Sequence, residues 1–176
     1  PEHAFSGCSN LDVTATDKPY MEDVQNMYNM FYGCKNLKNT NGSINTWDVS
    51  NVIYMQNMFF GDSLFNQPLN NWNTEKVQYM SNMFYNAASF NQPLSWNTSK
   101  VIDMSSMFYG AKAFNSAINF TNTEKVQTNE DIVYRILSIV ESTGIDIEQA
   151  TLKISTDGNA TLRNLLDRYI KTVELS

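Results

Sequence analysis

Val77-Gln78-Tyr79-Met80-Ser81-Asn82-Met83-Phe84-Tyr85-Asn86 is one copy of a block, Val-x-x-Met-x-x-Met-Phe-aromatic-Gly, that recurs along the chain, here with Asn86 in the glycine's place. The other copies begin at Val24, Val52 and Val101. Their second methionines are Met30, Met58 and Met107. From Met30 through Met58 and Met83 to Met107 the steps are 28, 25 and 24 residues. Self-similarity at that period predicts a solenoid. Each unit is too small to bury its own apolar face and must stack on the next.

Between blocks lie Phe65-Asn66-Gln67-Pro68-Leu69 and Phe90-Asn91-Gln92-Pro93-Leu94. Phenylalanine and leucine four apart fit period-two alternation, which predicts a strand with Asn66, Pro68 and Asn70 on its outward face. Proline has no donor, so Pro68 and Pro93 belong where no ladder bond is needed. The Val-x-x-Met-x-x-Met-Phe spacing of three, three and one predicts a short helical or 3₁₀ turn with its apolar stripe inward. The glycine that follows, or Asn86, supplies the left-handed residue that ends such a turn. The second unit is looser, marked by Leu37, Ile44, Trp47, Asp48 and Val52. Corners at Trp72-Asn73-Thr74 and Trp96-Asn97-Thr98, with Trp47-Asp48-Val49 as a variant, repeat an Asn or Asp at one place. Such side chains hydrogen-bond to corner backbone and from coil to coil, a structural role.

After Val126 the pattern stops. Apolar residues from Ile132 to Val140 predict a helix closing at Gly144. Thr151 to Thr156 alternates like a strand, and Asp157-Gly158 reads as a turn. Leu162, Leu165, Leu166, Tyr169, Ile170 and Val173 mark a second helix. The chain thus divides into a repeat domain, 1–127, and an α+β module, 128–176. An open coil end exposes apolar surface, so the module is expected to cap the repeats.

The formal net charge is −6, which argues against a nucleic-acid partner. Residues 1–127 contain seven Lys and no Arg, while Arg135, Arg163 and Arg168 all lie in the last 49 residues. A partner recognised through arginine forks therefore does not belong on the repeats. No apolar run approaches the ~18 residues of a membrane helix, so no membrane insertion is expected of this piece. Pro1 to Phe5 begin in the middle of a repeat, which reads as a fragment of a longer protein.

Cys8 and Cys34 occupy one repeat slot, which Ala87 and Ala111 fill in later units and Asp62 in one departure. A slot shared by Cys and Ala reads as a small buried residue in preference to a disulfide. His3, the third residue, is the only histidine, so neither a Ser-His-Asp nor a Cys-His arrangement is available, nor a zinc set. No glycine-rich phosphate loop is present. Glu130-Asp131 suits a helix N-terminus better than a catalytic pair. The methionine stripe could bind soft Cu(I), but it reads first as core filling. This inventory points to a protein that is not an enzyme and uses no metal or cofactor.

Ala4-Phe5-Ser6-Gly7-Cys8-Ser9-Asn10-Leu11 resembles the Ala-Phe-x-Gly-Cys-x-x-Leu signature of the BspA-like leucine-rich repeats. Phe65 to Trp72, followed by Val77-x-x-Met80-x-x-Met83-Phe84, resembles the Met-rich branch of that family. The likeness covers about residues 4–127. It implies an α/β fold, a right-handed leucine-rich-repeat solenoid of about five coils with a helix–strand–helix C-terminal cap. It also implies a non-catalytic recognition or adhesion role at the cell surface or outside the cell. It hands over no catalytic residues.

The aromatic slot after each repeat phenylalanine holds Tyr32, Phe60, Tyr85 and Tyr109, flanked by Tyr54 and Tyr79. Coils ~5 Å apart would align these rings, either as a buried ladder or as an exposed strip. The candidate ligand-binding residues are Tyr85 and Tyr109, with Asn66, Asn70 and Asn91 on the outward strand face. The expected partner is a protein or a glycan. A competing reading is a structural spacer that displays a neighbouring domain. It draws support from the monotony of the outward positions, Asn66, Pro68 and Asn70 against Asn91, Pro93 and Ser95.

Overall fold

The computed structural model describes residues 2–114, together with Ser116, Phe120, Gly144 and Gln149. The helix–strand–helix module expected over 128–176 lies outside the described residues, as does its boundary with the repeats. Gly144, where the first of its helices is expected to close, has φ 71°.

Within residues 2–114 the blocks lie one upon the next, joined by backbone bonds that recur at every second amide. Met27, Asn29, Phe31 and Gly33 donate to the carbonyls of Tyr54, Gln56, Met58 and Phe60 at 2.8, 3.1, 3.0 and 2.8 Å. Met55, Asn57, Phe59 and Gly61 donate onward to Tyr79, Ser81, Met83 and Tyr85 at 2.8, 3.0, 2.9 and 2.7 Å. Met80, Asn82, Phe84 and Asn86 do the same to Asp103, Ser105, Met107 and Tyr109. Parallel bridges Asn26↔Tyr54, Tyr54↔Tyr79 and Tyr79↔Asp103 mark the edge of this ladder.

The intervening amides turn inward on their own coil. Met30 donates to Met27 O at 3.2 Å, Tyr32 to Asn29 O at 3.1 Å and Cys34 to Phe31 O at 3.0 Å. These are overlapping four-residue turns, and in the first and third the third residue is Asn29 or Gly33, with φ 56° and 72°. A turn with positive φ at that place calls for Gly or Asn. Asn57, Asn82 and Ser106 hold the same left-handed place at φ 56°, 55° and 52°. Such a residue breaks a helix on every pass. The segment expected as a helical turn is therefore a chain of turns that spends half its amides between coils.

The strand expected at Phe65–Leu69 forms no bridge, and in Phe90–Leu94 only Leu94 is a bridge residue. Three of the four isolated parallel bridges among the described residues sit just before the first methionine of a block, and the fourth, Asp12↔Lys38, joins the first two units in the stretch after Leu37. A second seam lies before the Phe-x-x-x-Leu stretch. There Leu64 donates to Lys35 O, Ser89 to Ser63 O and Ala113 to Ala88 O at 3.2, 3.1 and 3.0 Å.

The one regular helix within residues 2–114 is a 3₁₀ turn, η1, over Ser43–Thr46. It accounts for the looseness of the second unit. Buried Asn39 donates to Val13 O at 2.8 Å and Ser43 Oγ at 3.0 Å, and accepts from Ile44 N at 3.0 Å. That side chain anchors the extra residues, and Ile44 is fully buried where other coils bury Leu69 or Leu94.

The interior is built of columns. Met30, Met58, Met83 and Met107 are buried, as are Met27, Met55, Met80 and Met104. Phe5, Phe31, Phe59, Phe84 and Phe108 stack with centroid steps of 5.5, 5.6, 5.5 and 5.6 Å. Phe65, Phe90 and Phe114 form a second column, stepped by 6.0 and 5.8 Å. Trp72, Trp96 and Phe120 form a third. Each indole nitrogen reaches one coil back, Trp72 Nε1 to Ile44 O at 2.8 Å and Trp96 Nε1 to Leu69 O at 3.1 Å. A buried indole N–H needs such a partner.

Candidate functional site

The aromatic slot resolves the choice between ladder and strip into both at once. Tyr32, Phe60, Tyr85 and Tyr109 stack at 4.8, 4.5 and 4.4 Å, nearly parallel. Yet Tyr32 is 37% exposed and the other three rings are only half-buried. Partial desolvation, then the charge of and hydrogen bond to Tyr109, push the Tyr85 phenol above its ordinary pKa. A second stack, Tyr54 on Tyr79 at 5.3 Å, lies at the parallel bridges, with Tyr54 39% exposed. Stacking covers the ring faces. What remains for a partner is ring edges, which carry partial positive charge, and hydroxyls that donate and accept.

The asparagines are exposed but partly committed. Asn66 Oδ1 accepts from Asn91 N at 2.9 Å and from Gln92 Nε2 at 3.0 Å. Asn70 Oδ1 accepts from Ser95 N at 2.7 Å. Asn91 Oδ1 accepts from Ser116 Oγ at 2.8 Å. The chosen site residues therefore form two groups. Tyr85 and Tyr109 touch each other, whereas Asn66, Asn70 and Asn91 are exposed ties between coils through their side-chain oxygens.

The corner residues behave differently from a coil-to-coil ladder. Asp48, Asn73 and Asn97 each accept from the amide two residues on, Ser50, Glu75 and Ser99, at 3.0, 3.1 and 3.0 Å. These are local Asx turns. The tie between coils at this corner comes from buried Thr74, whose Oγ1 donates to Asn97 O at 2.8 Å.

Titratable groups gather inside at the cysteine slot. Cys34 is fully buried, as the shared Cys/Ala slot predicts, but Cys8 is exposed. Burial, reinforced by the nearby Asp62 carboxyl, pushes the Cys34 thiol up to about 12. Asp62 is fully buried and neither carboxyl oxygen has a hydrogen-bond partner. Burial pushes its carboxyl up to about 9. Asp62 therefore sits in the fold as a neutral acid at pH 7. Its departure from the Cys/Ala pattern is visible in sequence, but its isolation is not. Among the described residues no group of three His, Cys, Asp or Glu could hold a metal ion. His3 packs edge-on against Tyr28 at 5.2 Å.

A family model described as "Mycoplasma protein of unknown function, DUF285" matches residues 2–119 and, overlapping, 88–144. Overlapping matches suit a tandem repeat, because one register fits nearly as well as the next. No curated protein and no solved structure matches the chain.

Proposed function

The chain belongs to the DUF285 family, and from that premise we propose that it is a non-catalytic recognition domain of the BspA-like leucine-rich-repeat kind. It works at the cell surface or outside the cell, as a stacked solenoid closed by its C-terminal module, and binds a protein or glycan across several coils. The observation that carries this reading is the half-open column Tyr32–Phe60–Tyr85–Tyr109 beside the Tyr54–Tyr79 stack. Repetition of one aromatic in four coils satisfies no buried need that a smaller residue could not meet at a half-exposed position. It does build a rigid, low-entropy contact surface of the kind binding hot spots favour. Edges and hydroxyls at steps near 4.5 Å suit a partner with acceptors at short regular spacing.

The test is a double change, Tyr85→Ser with Tyr109→Ser, read against cell surfaces, matrix proteins and a glycan panel. Binding should weaken by about tenfold or more, the effect of losing one hot-spot side chain, while circular dichroism stays unchanged. Loss of folding would assign the rings to the core. Retained binding would move the site to Asn66, Asn70 and Asn91.

A specific observation favours the spacer reading too. The oxygen ends of Asn66 and Asn70 are used to tie one coil to the next, which is work a spacer needs. If the intact chain binds nothing in those three screens, the spacer takes the lead.

A further inference from the structure

We propose that Cys8 and Cys34 are a disulfide site, closed by a small-molecule disulfide in an oxidising medium, that clamps the first coil onto the second. Cys8 and Cys34 hold the same slot in neighbouring coils, and two backbone bonds bracket them. Gly7 N donates to Tyr32 O at 2.7 Å on one side, and Asn36 N to Ser9 O at 3.0 Å on the other. Backbones paired in that way run ~4.8 Å apart, inside the roughly 4.4–6.8 Å between Cα atoms that a disulfide spans. The thiol is already turned toward its neighbour. Cys34 Sγ donates to Phe5 O at 3.0 Å, and Cys8 N donates to the same oxygen at 3.0 Å. Two atoms bound to one oxygen at those distances lie within about 6 Å of each other.

Access follows from the asymmetry of the pair. Cys8 is exposed and Cys34 is buried, so the exposed sulfur must react first. The Cys8 thiolate attacks one sulfur of glutathione disulfide and expels glutathione thiolate, leaving a mixed disulfide. Cys34 then loses its proton to solvent and attacks the Cys8 sulfur, expelling the second glutathione. Two protein thiols are oxidised by two electrons and one glutathione disulfide is reduced to two thiols. The buried Cys34 thiol makes the second step the slower one, so closure should quicken as pH rises. Later coils put Ala87 and Ala111 in the slot, so the pair can close only between these two coils.

The experiment takes the full chain, folded, in a glutathione redox buffer. Expected are loss of both free thiols, a mass lower by two hydrogen atoms, and a cross-linked pair of peptides containing Cys8 and Cys34. The oxidised form should then melt at higher temperature than the reduced form. The Cys34→Ala variant carries the residue of the later coils, so it should fold and stop at a glutathione adduct on Cys8. Three results overturn the proposal: a wild-type chain that also stops at that adduct, a dimer through Cys8, or a bridge that forms no faster in the fold than in strong denaturant.

Discussion

At the scale of single residues, Asp62 is the least comfortable group in the described chain. Its slot is made for a small side chain, and a carboxyl there has lost water without gaining a hydrogen bond. The folded acid titrates near 9, against about 3.9 in an unfolded chain. The fold therefore holds the proton more tightly than the unfolded state does. Stability due to this group is fully present below about pH 4 and falls as pH rises toward 9, by ~1.4 kcal/mol per unit. Asp62→Ala removes that slope. It should raise stability at pH 7 by roughly 4 kcal/mol, about 1.4 kcal/mol for each of the roughly three pH units between the unfolded pKa and pH 7. Urea titrations of wild type and variant at pH 5, 7 and 9 check this, because the gap between the two should widen with pH. A constant gap would mean that the carboxyl finds water. The sequence marks Asp62 as the odd member of its slot. It cannot reveal the missing partner, since that depends on what the neighbouring coils leave beside it.

At the scale of the element, what the sequence makes legible is the repeat and its buried stripe; what it hides is the backbone path. Val-x-x-Met-x-x-Met has the spacing of a helical turn, and its valines and methionines do go inside, Val24 less completely than the rest. The signal against a helix lies in the residue before the second methionine. Asn29, Asn57 and Asn82 hold it, each with φ near 55°. Side-chain periodicity reports which residues face inward. It does not report whether amides bond within a turn or across to the next coil, and here they alternate. Asn57→Val is expected to cost about 1–3 kcal/mol, because a β-branched residue is strained in the left-handed region. Asn57→Gly should cost little or stabilise. Denaturant midpoints of the two variants decide it. If both changes are equally harmful, the asparagine side chain matters and the backbone argument fails. A related test is Gly110→Ala, whose new Cβ would overlap the Asn86 side chain while also resisting φ 69°. It should destabilise more than an alanine placed at Gly33, where no atom lies within 4 Å of the added carbon.

At the scale of the whole molecule, the columns turn local packing into a property of the stack. Phe84 touches four rings: Phe59 at 5.5 Å, Phe90 at 4.0 Å, Phe108 at 5.6 Å and Trp96 at 6.4 Å. Phe59 and Phe108 lie in the two neighbouring coils and Phe90 and Trp96 in its own, so removing Phe84 weakens two interfaces as well as one coil. Phe5, by contrast, stacks on Phe31 alone, at 5.5 Å, and is only partly buried. Stability in such an array is close to a sum of unit and nearest-neighbour terms. Phe84→Ala should therefore cost about 3–5 kcal/mol, the range for deleting a buried phenylalanine. It should also split unfolding into separate events on either side of the cut. Phe5→Ala should cost less than half as much and leave one transition, with only the first coil fraying. Hydrogen exchange reads the difference directly. After Phe84→Ala, protection should fall at Phe59, whose amide bonds to Met83 O, and at Phe84 itself, whose amide bonds to Met107 O. After Phe5→Ala the loss should stop at the amides that His3, Phe5 and Gly7 send to Tyr28, Met30 and Tyr32. Equal loss from both variants would show that the coils do not act as nearest-neighbour units and that the described residues melt as one body.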